Sequence, residues 1–138
     1  MSRIVAVTPS LADAVLSAGA TLARHAAEGH EVLAVCLFGV DGDPDDAAAA
    51  EALGLAGVVH LGGTPAAGRG YGGELDAYAG VRTGDDAPKV AATGLAIALG
   101  RLRPGLLLAP LGLSGHVDAL VTTAALDELE LPRLRWVD

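Results

Sequence analysis

Apolar positions along this chain fall into short unbroken runs, separated by stretches in which they recur at helical spacing. Arg3–Thr8 (RIVAVT) is the first run, short and rich in branched residues, and it predicts a buried strand. From Ala12 to Glu28 the apolar residues Val15, Leu16, Leu22, Ala23 and Ala26 keep helical spacing, and Gly29 is a natural stop. Glu31–Phe38 (EVLAVCLF) predicts a second strand, Asp45–Leu53 a short helix and Gly57–Leu61 a third strand. A glycine-rich stretch from Gly62 to about Asp86 reads as a long loop. Pro88–Leu102 follows as a helix with proline at its start. Gly105–Pro110 predicts a fourth strand, Val117–Leu129 a fourth long helix and Arg133–Val137 a last strand.

This alternation predicts an α/β fold: one Rossmann-like three-layer αβα domain over residues 1–138, with a mainly parallel sheet of about five strands. The strands read as continuous apolar runs rather than alternating ones, as expected when helices cover both faces of the sheet. Because the chain stops just after its last strand, that strand is expected at an edge. Ligands in such sheets bind beyond the carboxyl ends of the strands, where strand order reverses. The loops Thr8–Ala12, Gly39–Asp45, Gly62–Asp86 and Leu111–Val117 are therefore the places to look for chemistry.

Length and composition narrow the classes. A chain of 138 residues buries enough surface to fold without a metal or disulfide staple. Cys36 is the single cysteine, set in an apolar run, so no intrachain disulfide forms and a reducing, cytoplasmic compartment is expected. No secretory signal or membrane-spanning run is visible, and no membrane partner is expected. A net charge of -8, scattered basic residues and few aromatics argue against nucleic acid as a partner.

Several motifs invite chemistry and fail on context. GRGYGG at Gly68–Gly73 matches a dinucleotide fingerprint, but it lies after the third strand rather than between the first strand and its helix. Arg69 and Tyr71 within it remain candidates to face a ligand. DGDPDD at Asp41–Asp46 lacks the glycine and glutamate of a calcium loop, whereas acidic residues opening a helix suit its dipole. Ser114, His116 and Asp118 alternate in one short loop, where a nucleophile–base–orienter chain is hard to assemble. His25, His30 and His60 read as singly placed surface or core histidines.

Two segments together carry a family resemblance. AVTPSLADAVLSAGATLARHAAEGHEVLAVCLFG and LRPGLLLAPLGLSGHVDALVTTAAL resemble the two signatures of the PIG-L or LmbE-like zinc-dependent de-N-acetylases, and the match runs from Arg3 to Val137. In that family a Pro-His-x-Asp-Asp motif follows the first strand, and Gly-His-x-Asp-His follows a later one. The resemblance implies zinc bound by a histidine at the position of Ser10, an aspartate at Asp13 and a histidine at the position of Ala119. It implies a general base where Ala12 stands, and an intermediate-stabilising histidine at His116, with Asp118 beside it. Members are usually longer, so this is expected to be a short member.

The departures decide the expected chemistry. A catalytic zinc needs three protein ligands and an open position, and the chain keeps one of the three. Alanine neither coordinates metal nor takes a proton, and a serine hydroxyl is a weak ligand. Ser10-Leu-Ala-Asp13 has instead the form of a capping box, in which Asp13 would return a bond to the Ser10 backbone N–H. The expectation is a degenerate deacetylase-fold protein with no bound metal, acting as a binding, accessory or assembly subunit. A small molecule in the old pocket, or a homo-oligomeric or other protein partner, would be its counterpart. Ser10, Asp13, Arg69 and Tyr71 are its candidate binding residues, and His116 and Asp118 its retained catalytic positions. Two alternatives stay open: a zinc hydrolase completed by other ligands such as His60 or by another subunit, and a metal-free enzyme using the old pocket.

Overall fold

The computed structural model describes residues 2–138. Five strands, β1 (Arg3–Thr8), β2 (Glu31–Phe38), β3 (Gly57–Gly63), β4 (Leu106–Pro110) and β5 (Leu134–Trp136), form one all-parallel sheet in the order β3-β2-β1-β4-β5. The helices are α1 (Leu11–Ala27), α2 (Pro44–Leu53), α3 (Glu74–Ala77), α4 (Ala87–Leu102) and α5 (Val117–Glu128). The architecture is the α/β sandwich that the alternating pattern predicts, with β5 at one edge.

Side chains alternate across the sheet and build a core on each face. Val5, Val7, Leu33, Val35, Leu37 and Leu107 pack with Leu95 of α4 and Val121 and Leu126 of α5. Ile4, Ala6, Val32 and Leu108 pack with Ala14, Ala18 and Leu22 of α1, and Leu11, Ala34 and Cys36 extend that face towards α2. Leu22, Leu95 and Leu126 are fully buried, and each such side chain contributes about 1.5–3 kcal/mol relative to exposure. Both faces of β1 and β2 are covered, which is why those strands are unbroken apolar runs.

Local chemistry fixes where elements begin. Asp43 caps α2 by accepting a hydrogen bond from Asp45 N (2.9 Å), with Pro44 in the first turn, so the acidic run starts a helix as its dipole favours. Gly54 ends that helix in the left-handed region at φ 73°.

The stretch from Gly62 onward departs from the long loop the sequence suggests. β3 extends to Gly63, a 3-10 turn spans Ala66–Arg69, and α3 supplies one further turn. Polar contacts to Asp85 and Asp118 hold this segment, and Ala66, Tyr71 and Ala77 pin it to the core. The last strand is shorter than expected, because only Leu134–Trp136 pair with β4. No helix among the described residues is long and apolar enough to cross a membrane.

Candidate functional site

Strand order reverses between β1 and β4, and the segments leaving these two strands diverge over the sheet edge. A cavity of about 380 Å³ opens there, a volume typical of small-molecule sites. Ser10 and Asp13 enter from the start of α1, and His116, Asp118 and Ala119 from the start of α5. Residues well apart in sequence thus meet in one place. Pro9, Leu16, Phe38, Pro65, Pro110 and Trp136 give the cavity apolar walls.

Ser10, Asp13, His116, Asp118 and Asp138 each have a defined partner, while Trp136 Nε1 is buried without one. Ser10 is the N-cap of α1: its Oγ accepts from Asp13 N at 3.3 Å. The reciprocal arm differs from a capping box. The Asp13 carboxylate accepts from the Ser10 hydroxyl (Oγ–Oδ2 2.8 Å) rather than from the Ser10 backbone, so the two side chains bind each other. Ala12 beside them is exposed.

His116 caps α5 in the same manner, its Nδ1 accepting from Asp118 N at 3.1 Å. A ring nitrogen that accepts a backbone N–H carries no proton, so in the neutral ring the proton sits on Nε2. The Tyr78 ring packs edge-on against this imidazole, with centroids 5.3 Å apart. Ser114 Oγ donates to Asp138 Oδ2 at 2.6 Å, while the Asp118 carboxylate turns away from His116. Ser114, His116 and Asp118 therefore form no nucleophile–base–orienter chain.

Asp118 is held from behind. Its Oδ1 accepts from Arg69 Nη1 at 2.8 Å, and its Oδ2 accepts from Ala66 N at 3.3 Å. Arg69 in turn donates through Nε to Asp85 Oδ2 (3.2 Å) and through Nη1 to Thr64 O (2.8 Å), and its guanidinium stacks on Phe38. Burial alone would lower the Arg69 pKa, but Asp118 and then Asp85 outweigh it and raise it. Tyr71 donates its hydroxyl to Asp85 Oδ2 at 2.7 Å and accepts from Arg82 N. Arg69 and Tyr71 do not line the cavity. Arg69 borders a separate cavity between β3 and α4, and Tyr71 an open cleft shared with Tyr78 and His116. Both are the supports of the site's rear wall.

Asp138 closes the cavity's other side. Its carboxylate accepts from the backbone N–H groups of Gly112 (2.7 Å), Leu113 (3.0 Å) and Ser114 (3.3 Å), a concave nest that Gly112 makes possible at φ 86°. Burial would raise its pKa, but the Ser114 hydroxyl and these three amides outweigh it and hold the carboxyl below the usual range. Sequence reasoning missed Tyr78, Ser17, Trp136 and Asp138, none of which carries a local motif.

The donor set does not suit a catalytic zinc. Of the three positions that the resemblance assigns to the metal, Ala119 has no donor, Ser10 offers a neutral hydroxyl, and Asp13 binds that hydroxyl. His60 contributes nothing here: it sits on β3 with Nε2 3.7 Å from Asp46 Oδ2, and it does not line the cavity.

Comparison by shape gives the fold its relatives. A teicoplanin-pathway deacetylase superimposes with a TM-score of 0.80 over 99% of this chain, at 24% identity. The chain has the fold of the LmbE-like de-N-acetylases. An N,N'-diacetylchitobiose deacetylase from Pyrococcus horikoshii shares this de-N-acetylase fold with a TM-score of 0.67 over 94% of the chain, at 19% identity. So does the 4-carboxy-2-hydroxymuconate hydratase GalB from Pseudomonas putida KT2440, with a TM-score of 0.57 over 93% of the chain, at 21% identity. The chain spans 67%, 49% and 55% of these three proteins respectively. No protein-family model and no curated protein matches the sequence. The de-N-acetylase fold thus carries amide hydrolysis in some proteins and hydration in another, and the reaction is decided by the site rather than by the sheet.

Proposed function

We propose that this chain binds a small N-acylated molecule in the cavity between β1 and β4 and does not hydrolyse it by zinc chemistry. The observation that carries this reading is the convergence of Ser10, Asp13 and Ala119 on one cavity lined by the polar groups of His116, Asp118 and Asp138. Without three ligands there is no metal to bring a water's pKa near neutrality, and without an aspartate at Ala12 there is no base beside it. What remains is recognition. His116 Nε2–H is a donor for an amide carbonyl oxygen, and Asp13 Oδ1 is an acceptor for an amide N–H. The apolar walls suit an acyl chain or ring, and Leu16, 86% exposed at the rim, extends that surface outward. The deacetylase relatives support an N-acylated ligand, and the lost ligands support binding without turnover.

The test uses the full chain with N,N'-diacetylchitobiose and a long-chain N-acyl glucosamine as probes, with calorimetry for binding and acetate or fatty-acid release for turnover. Saturable binding that His116→Ala weakens by about tenfold, a loss of roughly 1.4 kcal/mol, is expected, with no release in added zinc. Release that disappears in Asp13→Ala would overturn the reading in favour of a zinc hydrolase completed by another subunit. The triple variant Ser10→His, Ala12→Asp, Ala119→His is expected to gain zinc binding at the cavity, because the three positions already converge there.

A further inference from the structure

At the end of the sheet opposite the cavity, α1 stops and the chain turns back into β2. Gly29, at φ 90°, makes the reversal, and His30 N donates to His25 O at 3.1 Å. The reversal lays the His30 ring edge-on against His25, with centroids 5.7 Å apart. Glu28 joins them, its Oε2 standing 3.7 Å from His25 Nδ1. One donor atom from each of His25, Glu28 and His30 lies within 4.8 Å of the others. The sequence alone suggests isolated histidines. The turn at Gly29 brings them together, which spacing along a helix does not reveal.

We propose that His25, Glu28 and His30 form a binding site for a divalent transition cation, zinc or its neighbours. Two imidazoles and a carboxylate are a donor set that such borderline cations favour. His25 Nδ1 is shielded from solvent and has no hydrogen-bond partner, an orphan nitrogen beside a carboxylate. A buried polar atom left unpaired is rare and asks for an occupant. Around a tetrahedral zinc, ligands at about 2.0–2.1 Å stand roughly 3.4 Å apart, so the His25–Glu28 pair is already near its bound separation. Glu28 is 52% exposed and free to adjust, while Arg24 Nε stands by its other oxygen, Oε1, at 3.7 Å.

His30 needs one exchange. Its Nδ1 accepts from Ser2 N at 3.1 Å, so that nitrogen presents a lone pair rather than a proton. A cation takes the place of the Ser2 amide on that lone pair, and water completes the coordination shell. The last carbonyls of α1 put the negative end of the helix dipole at this point, and the chain's net charge of -8 adds to the attraction. The ion would fasten the end of α1 to the entry of β2, far from the cavity and independent of what binds there.

The test strips the full chain with a chelator and titrates it with zinc by calorimetry and with cobalt by visible spectroscopy. Expected is a single saturating site with the intense d–d bands of low-symmetry cobalt. Glu28→Gln, His25→Ala and His30→Ala should each weaken binding by about 10–100-fold or more, since even loss of an outer partner costs that much. Asp13→Ala in the cavity should leave it unchanged. Glu28→Gln alters an exposed side chain without a packing role, so it reads the site even where His25→Ala unfolds the helix end. Absence of saturable binding, binding indifferent to Glu28→Gln and His30→Ala, or binding lost in Asp13→Ala would overturn the proposal.

Discussion

Arg69 is the residue whose removal most directly tests how the site is held. Its side chain is 11% exposed, that of Asp85 6% and that of Asp118 10%, and it bridges the two carboxylates. Arg69→Leu keeps much of the aliphatic bulk but removes the guanidinium from over Phe38 and leaves both acids without their cation. Breaking a buried ion pair by deleting one partner costs about 3–5 kcal/mol. Asp118 keeps Ala66 N, and Asp85 keeps the Tyr71 hydroxyl and Ala87 N, so neither is left bare. The expected loss is therefore near the lower end, about 3 kcal/mol, against a total stability of about 5–15 kcal/mol for a domain.

The assay is urea unfolding at neutral pH. With a slope of about 1–3 kcal/mol per molar, the midpoint should fall by roughly 1–3 M at unchanged slope. Acid supplies a second readout. Burial would raise the Asp85 pKa, but Tyr71, Ala87 N and Arg69 together hold it below the usual carboxylate range. A carboxyl lowered in the folded state stabilises above its unfolded value of about 3.9, and that contribution is lost as pH falls through the folded value. Part of that lowering depends on Arg69, so the Arg69→Leu penalty is full at neutral pH and shrinks below about pH 4. Adding Asp118→Asn to Arg69→Leu should restore part of the loss, since the double variant no longer strands a second buried charge. A penalty under about 1 kcal/mol, as for an exposed pair, or one that does not shrink in acid, would refute the buried-bridge account.

Two further outcomes follow from the geometry of α1 and β2. Ser10→Ala should cost about 0.5–2 kcal/mol by chemical denaturation, while Ser10→Asn, which also caps, should cost less; no loss in Ser10→Ala would remove the cap from the account. The Cys36 thiol is pushed up to about 12, by burial first and then by the charges of Asp46 and Asp13, so the native protein should resist thiol reagents at mildly alkaline pH and react only on unfolding. Rapid labelling of the folded chain would contradict its placement on β2.

The sheet and its long helices are legible in the sequence because their determinants are local. EVLAVCLF reads as a strand buried on both faces, and the spacing of Val15, Leu16, Leu22, Ala23 and Ala26 marks α1 as a helix, although the face it buries is Leu11, Ala14, Ala18 and Leu22 and Leu16 points outward. The segment between β3 and α4 is not legible, because its order comes from partners far apart in sequence. Arg69 meets Asp118 49 positions on, Tyr71 meets Asp85 14 on, and no periodic pattern encodes either contact. The same reason hid Asp138, which grips Gly112 from 26 positions away. Arg69 and Tyr71 are polar residues in a glycine-rich stretch, the usual look of a ligand loop. Their side chains turn instead to Asp85 and Asp118, since a buried guanidinium between two carboxylates satisfies charges that the loop would otherwise bury alone. Residue type thus marked where chemistry was concentrated, and only the tertiary partners showed which side of the site each residue serves: His116 and Asp13 face the cavity, and Arg69 and Tyr71 hold the wall behind it.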